Sequence, residues 1–214
     1  HLKLTFNQSE IVINRGEYDL KTKEALLKAK SDFIDPKDIA IFAPQVKNID
    51  KPFNFDINAS GKIPSVKVND FNFKYGDDTE IHLKGSFSDV MHYADAEMNF
   101  DIKNMKLDMK DLESFIRIGS PNFVAPKQMT AFKKVFLDFK TWGKFRSFTY
   151  SGSLNSDLGS VKISGKGEFG KDFKSYSIQG PILAQDVQMG GILGEGVGLG
   201  NISVQSNFQL EGGG

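Results

Sequence analysis

The stretch Ile81-His82-Leu83-Lys84-Gly85-Ser86-Phe87 decides the fold class. Its apolar residues and its glycine fall at every second position, the spacing of a strand with one apolar and one wet face. The same period runs outward in both directions. Upstream it joins Val66 and Val68, Ile11 and Ile13, and Leu2, Leu4 and Phe6. Downstream it joins Met98, Phe100 and Ile102, then Val135, Leu137 and Phe139, then Val161 and Ile163, Tyr176 and Ile178, and Ile202, Val204 and Phe208. Sheets with one wet face are typically antiparallel. Turn-forming residues separate the runs at Tyr75-Gly76-Asp77-Asp78, Asn155-Ser156-Asp157-Leu158-Gly159 and Gly170-Lys171-Asp172. The chain therefore reads as all-β, with antiparallel strands in a repetitive, elongated, curled sheet and a few short helical turns. Whether that sheet is a groove or is sandwich-like stays open, because alternation is the same in both.

The helical turns carry their own signals. Asp35 before Pro36 predicts a capped turn over residues 36–42, with Pro44 beyond it. Asp108 predicts a second, running through Leu112, Phe115 and Ile116 and stopping near Gly119. Pro126 breaks any helix over residues 120–134, and Gly190 and Gly191 weaken a candidate from Met189 to Leu193. Residues 24–30 are good helix formers, but their place in the repeat argues for a strand.

Gly61-Lys62-Ile63-Pro64-Ser65-Val66-Lys67-Val68 reads like Gly143-Lys144-Phe145-Arg146-Ser147-Phe148-Thr149-Tyr150. Ile81 to Gly85 reads like Val161 to Gly165, and Met98 and Phe100 like Tyr176 and Ile178. The offset is roughly 80 residues, longer than most solenoid periods. Glu10-Ile11-Val12-Ile13 matches Glu80-Ile81-His82-Leu83, and Lys37-Asp38-Ile39 matches Lys110-Asp111-Leu112. Gly200-Asn201-Ile202 is read as restarting the pattern of Gly143-Lys144-Phe145. The approximate units are 1–60 (partial), 61–142, 143–199 and 200–214, so the whole chain, 1–214, is expected to be one β-rich segment of a longer repeat protein.

Lys+Arg and Asp+Glu both number 27 in 214 residues, a net charge of zero, which argues against nucleic acid as a partner. There is no cysteine, so thiol chemistry, disulfides and Cys-based zinc sites are excluded. No apolar run approaches the roughly 20 residues of a membrane-spanning helix.

Nothing in the sequence assembles an enzyme site, and no catalytic, cofactor-binding or metal-binding residues are expected. His82 sits between Ile81 and Leu83, on the expected wet face, and His92 sits in a loop. No His-Glu-x-x-His spacing and no Gly-x-Ser-x-Gly elbow serves either. The glycine-rich residues 190–200 lack the Gly-Lys-Ser/Thr that a phosphate loop requires. The carboxylate pairs Asp77-Asp78 and Asp95/Glu97 have no calcium-loop spacing. Trp142 and Phe145 read either as an aromatic platform for sugar or as ordinary packing.

Several stretches resemble TamB/AsmA-like cell-envelope proteins of diderm bacteria. Residues 31–44, with Ser31, Pro36, Asp38-Ile39-Ala40 and Phe42-Ala43-Pro44, are similar to a "Ser, Pro, Asp-Leu-Ala, Phe-x-Pro" stretch of that family. Trp142-Gly143-Lys144-Phe145 leading to Leu158-Gly159-Ser160-Val161 resembles its glycine-plus-aromatic strand followed by a "Leu-Gly-x-Val" strand. The run from Tyr176 through Gly180 and Leu199-Gly200-Asn201-Ile202 to Leu210-Glu211-Gly212 fits the same pattern. Ser147 stands where the family usually has glycine, and Met91-His92-Tyr93 has no counterpart.

The resemblance implies a long apolar β-groove and a role in phospholipid transport to the outer membrane or in protein assembly there. It places the protein in the periplasm, with the full-length chain anchored in the inner membrane. Its partners would be phospholipid acyl chains and, through regions outside this segment, an outer-membrane assembly protein. Joined to the alternation, it nominates Leu83, Phe87, Phe100, Ile102, Leu137, Phe139, Ile163 and Ile178 as the groove lining. The competing reading is a structural or adhesive β-repeat module that binds a protein or a glycan.

Overall fold

The computed structural model describes residues 2–40, 44, 46, 49–120, 122–171, 173–194 and 200–213. Twelve strands form one open antiparallel sheet whose spatial order is the chain order. They are β1 (Leu2–Phe6), β2 (Ser9–Tyr18), β3 (Glu24–Ile34), β4 (Phe53–Lys62), β5 (Val66–Tyr75), β6 (Thr79–Phe87), β7 (Glu97–Asp108), β8 (Lys134–Lys144), β9 (Ser147–Ser156), β10 (Gly159–Phe169), β11 (Ser175–Gln188) and β12 (Asn201–Gly213). The all-β expectation holds. Among the described residues there is no second sheet, so the sandwich-like alternative is not realised. Residues 24–30 are strand despite their helical propensity, because neighbours on both sides supply a full ladder.

Short helices follow every fourth strand. They are α1 (Pro36–Ile39) after β3, α2 (Met109–Gly119) and α3 (Lys127–Thr130) after β7, and α4 (Met189–Leu193) after β11. Ile41 and Phe42, expected in the first turn, lie outside the described residues, as does Asp172 of the third turn signal. The strand preceding each helix group changes register a few residues before it ends: between Ser31 and Ile34, between Ile102 and Met105, and between Ala184 and Val187. Asn104 and Asp186 take left-handed conformations there, φ 51° and 52°, which both residue types tolerate. Such bulges bend a strand and increase its twist. Here they precede the turn into the helix in every unit.

The first two helices are fixed by equivalent trios of side chains, a hydroxyl and two aspartates. Asp35 and Asp108 accept from the backbone N–H of Lys37 and Lys110, capping α1 and α2. The Ser9 hydroxyl, at the start of β2, donates to Asp38 Oδ2 at 2.6 Å and accepts from the Asp35 N–H at 2.8 Å. The Thr79 hydroxyl, at the start of β6, donates to Asp111 Oδ2 at 2.7 Å and accepts from the Asp108 N–H at 3.2 Å. Asp111 is 1% exposed and its other oxygen takes the Lys51 ammonium. The Ser9 hydroxyl is also what holds the Asp38 carboxyl below the usual carboxylate range. In the third unit Gly159, Gln188 and Gly191 stand in these places. There the Leu158 side chain lies against Gly191 instead.

The repeat matches follow the four-strand period. Ile81 and Val161 are the third residues of β6 and β10, and Met98 and Tyr176 the second residues of β7 and β11. Gly61 and Gly143 sit near the ends of β4 and β8, whereas Gly200 directly precedes β12. The residue in β12 that occupies their place is Gly212.

Many of the buried side chains lie near the strand ends. At the helical end they include Ile34, Tyr75, Thr79, Leu107, Val135 and Leu158. The Phe115 ring of α2 packs on Tyr75 with centroids 4.9 Å apart, so the helix closes this end of the sheet. Tyr75 donates to Asp50 Oδ1 at 2.7 Å, and burial first, then that bond, pushes its phenol up to about 12. No helix among the described residues is long and apolar enough to cross a membrane.

Two outcomes are expected. Thr79→Val, which leaves Asp111 Oδ2 and the Asp108 N–H without their partner, should cost roughly 2 kcal/mol in urea unfolding, with Ser86→Ala as a near-neutral control. The Tyr75 phenol has a folded pKa above its unfolded value of about 10. Its contribution is therefore complete below pH 10 and disappears as the pH climbs through about 12. Tyr75→Phe should be less stable than the parent at neutral pH and lose less stability over that alkaline window, read from urea midpoints against pH.

Candidate apolar trough

Residues paired across an antiparallel ladder lie on the same face, so the register places every candidate. One line across the sheet runs Phe71, Leu83, Ile102, Phe139, Gly152, Ile163 and Ile182. A second runs Val66, Phe87, Met98, Gly143, Phe148, Gly167, Ile178 and Leu210. Between them lie Gly85, Phe100, Thr141, Tyr150 and Gly165. A fourth line joins Met105, Leu137, Leu154, Val161, Ala184 and Val204. Leu83, Phe87, Phe100, Ile102, Leu137, Phe139, Ile163 and Ile178 thus share one face, and all eight are half-buried rather than buried.

The face has a recurring construction. Phe100 is paired with Gly85, Phe139 with Gly152, Tyr150 with Gly165, Phe148 with Gly167, and Tyr176 with Gly212. In four of the pairs the aromatic side chain lies in or against the space a Cβ on the glycine would need, whereas at Gly165 such a Cβ would first meet the Gln179 carbonyl oxygen, at 1.9 Å. A Cβ at Gly152 would stand 3.0 Å from Phe139 Cδ2, one at Gly165 2.9 Å from Tyr150 Oη, and those at Gly85, Gly167 and Gly212 would overlap the ring itself. An aromatic that folds over a cross-strand glycine covers exposed backbone and keeps its own ring low. The result is a smooth apolar floor rather than a forest of upright side chains. A hollow of about 560 Å³ in this part of the sheet is lined by Asp101, Asp138, Lys140, Ser153 and Lys162 of the opposite face as well as by Ile102, Phe139, Gly152 and Ile163, so it does not belong to the apolar face alone.

Sequence reading missed these pairs. Their signal, a core-facing glycine opposite an aromatic, emerges only once the register is known.

The turn end of the sheet is closed by rings. Phe145 lies 6.0 Å from Phe87, 6.2 Å from Phe169 and 5.8 Å from Tyr93, centroid to centroid. Trp142 does not join them. It pairs with Asn99 and Thr149 on the opposite, polar face and is 43% exposed, so Trp142 and Phe145 form no common platform.

The other chemistry-bearing residues are accounted for locally. His82 is on the polar face with Nδ1 2.5 Å from Asn72 Oδ1, and His92 is exposed beside Asp89. Asp78 accepts from Lys134 at 2.6 Å, and this bond keeps its carboxyl below the usual range. Asp95 faces Arg146 at 3.7 Å. Of the glycine-rich stretch, residues 189–193 are α4, and 195–199 lie outside the described residues. Among the described residues no group of three or more His, Cys, Asp or Glu is arranged to hold a metal ion.

No protein-family model, no curated protein and no solved structure matches the chain.

The ring-over-glycine packing predicts a sharp position dependence. Gly85→Leu and Gly167→Leu must displace the Phe100 and Phe148 rings, and each should cost about 1–3 kcal/mol in urea unfolding. Gly200→Ala, where a Cβ meets nothing within 4 Å, should stay within about 0.5 kcal/mol of the parent.

Proposed function

We propose that this chain is one stretch of an apolar β-trough that carries phospholipid acyl chains through the cell envelope of a diderm bacterium. The observation that carries this reading is the common face of the eight trough residues, all of which stay half-buried with no second sheet over them among the described residues. A single-layer sheet has no partner layer to bury that face. Leaving so much contiguous apolar surface to water is uncommon in a monomeric protein unless something binds there. Acyl chains suit such a floor because they need no hydrogen-bond partners and adapt to a low-relief surface. In this reading the protein is periplasmic, the full-length chain is held at the inner membrane, and an outer-membrane assembly protein is engaged outside this segment. The trough acts by solvation rather than by bond making, so no catalytic residues are invoked.

A second reading, a structural or adhesive β-module that recruits another protein by strand addition, is favoured by one feature. The edge strand β12 is exposed over nearly its whole length, and Glu211 is its only charge. Edges usually carry lysine, proline or bulges against such pairing.

Photo-crosslinking side chains at Phe100 and Ile163 separate the readings in intact cells. The trough predicts lipid adducts at both, and none from Lys140 or Lys162 on the opposite face. A folded, functional protein that captures no lipid at Phe100 or Ile163 contradicts it, and protein adducts concentrated on β12 support the strand-addition reading instead.

A further inference from the structure

A ring-lined path leads from the middle of the trough to its turn end. Phe100 and Phe87 have ring centroids 6.2 Å apart, Phe87 meets Phe145 at 6.0 Å, and Phe145 meets Phe173 at 5.9 Å. The Arg146 guanidinium lies over Phe173, 5.5 Å from its centroid. Arg146 is therefore the cationic end of a continuous aromatic series that starts among the trough residues.

Two features leave this guanidinium with unused binding capacity. Its Nε is buried and finds no acceptor among the described residues. Buried N–H donors are almost always satisfied, so an unpartnered one calls for an acceptor that the described residues do not supply. Its acidic neighbour Asp95 stands 3.7 Å from Nη1, looser than a charge-assisted hydrogen bond, on a side chain that is 75% exposed and free to swing into water. Stacking on Phe173 fixes the plane of the fork, and a fixed planar fork of N–H donors suits the oxygens of a phosphate.

We infer that Arg146 anchors the phosphate of a lipid head group at the turn end of the trough, with the acyl chain lying along Phe145, Phe87 and Phe100. This rests on reading the apolar face as a lipid trough and adds the class of head group that it accepts. The arrangement gives the trough a direction, with the head at the turn end and the tail running toward mid-sheet. Asp95 is the side chain the phosphate displaces.

The test uses two ligands with the same acyl chain, palmitoyl lysophosphatidic acid and palmitoyl glycerol, titrated calorimetrically into the chain below their micelle-forming concentrations. The parent should bind the phosphate form roughly tenfold or more tightly, with a preference that weakens as salt is added. Arg146→Met, which keeps an unbranched stem over Phe173, should bind both alike at the affinity of the uncharged ligand. Arg146→Lys should restore part of the preference. An undiminished preference in Arg146→Met overturns the anchor while leaving the trough standing. Failure of the parent to bind either ligand overturns both. Inorganic phosphate binding as tightly as the lysolipid also overturns the anchor, since the acyl chain would then contribute nothing. An unchanged far-UV spectrum of each variant keeps these outcomes apart from unfolding.

Discussion

Strand-pairing parity keeps the apolar side chains of this sheet on one face. In an antiparallel sheet a one-residue slip exchanges the two faces. Across twelve strands the apolar set nevertheless stays on one side, from Ile11 opposite Leu4 to Ile178 opposite Leu210. Where the ladder breaks, it breaks in a way that preserves the face. The shift in β5 puts Val68 and Phe71 on the same side, and the shift in β7 does the same for Ile102 and Met105. A bulge adds a residue to one strand and restores the facing beyond it. The bulges therefore bend the sheet without transferring its greasy side chains to the opposite face.

The single layer, with that parity, sets the chemistry. One sheet has one apolar face, and the short helices cover only its end. The Ser9–Asp35–Asp38 and Thr79–Asp108–Asp111 groups hold the helices of the first two units against the strand starts. Buried carboxylates are costly unless fully hydrogen-bonded, and these two are supplied with donors by hydroxyls, backbone and, for Asp111, Lys51. The third unit replaces both polar partners with glycine and relies on Leu158 against Gly191. The same position in the repeat is thus closed by a polar network in two units and by an apolar contact in the third.

Much of this was legible in the residues. Alternation in Ile81 to Phe87 and its counterparts marked the strands, and Asp35-Pro36 and Asp108 marked helix starts, because both signals are local. The match of Lys37-Asp38 to Lys110-Asp111 pointed to equivalent places, though its meaning, a hydroxyl–carboxylate bond across 29 residues, depends on tertiary proximity. The placement of Gly200 beside Gly143 followed composition. The strand ends show Gly212 in that place, since glycines recur too often here for local pattern to decide. Single sheet versus sandwich could not be read at all, because the facing of side chains is the same in both. The partnership of Phe100 with Gly85 or Phe148 with Gly167 was hidden for the same reason, as it is a property of register rather than of either strand.

We propose that the face bearing Ile102, Ile163 and Ile178 receives acyl chains and that the opposite face does not. Intermolecular nuclear Overhauser effects between a protonated lysolipid and methyl-labelled, otherwise deuterated protein test it most directly. Contacts are expected from the acyl methylenes to the methyls of Ile102, Ile163, Ile178 and Ile182, and none to Leu26 or Leu183 on the polar face. Contacts confined to Leu26 and Leu183, or spread equally over both faces, would contradict it.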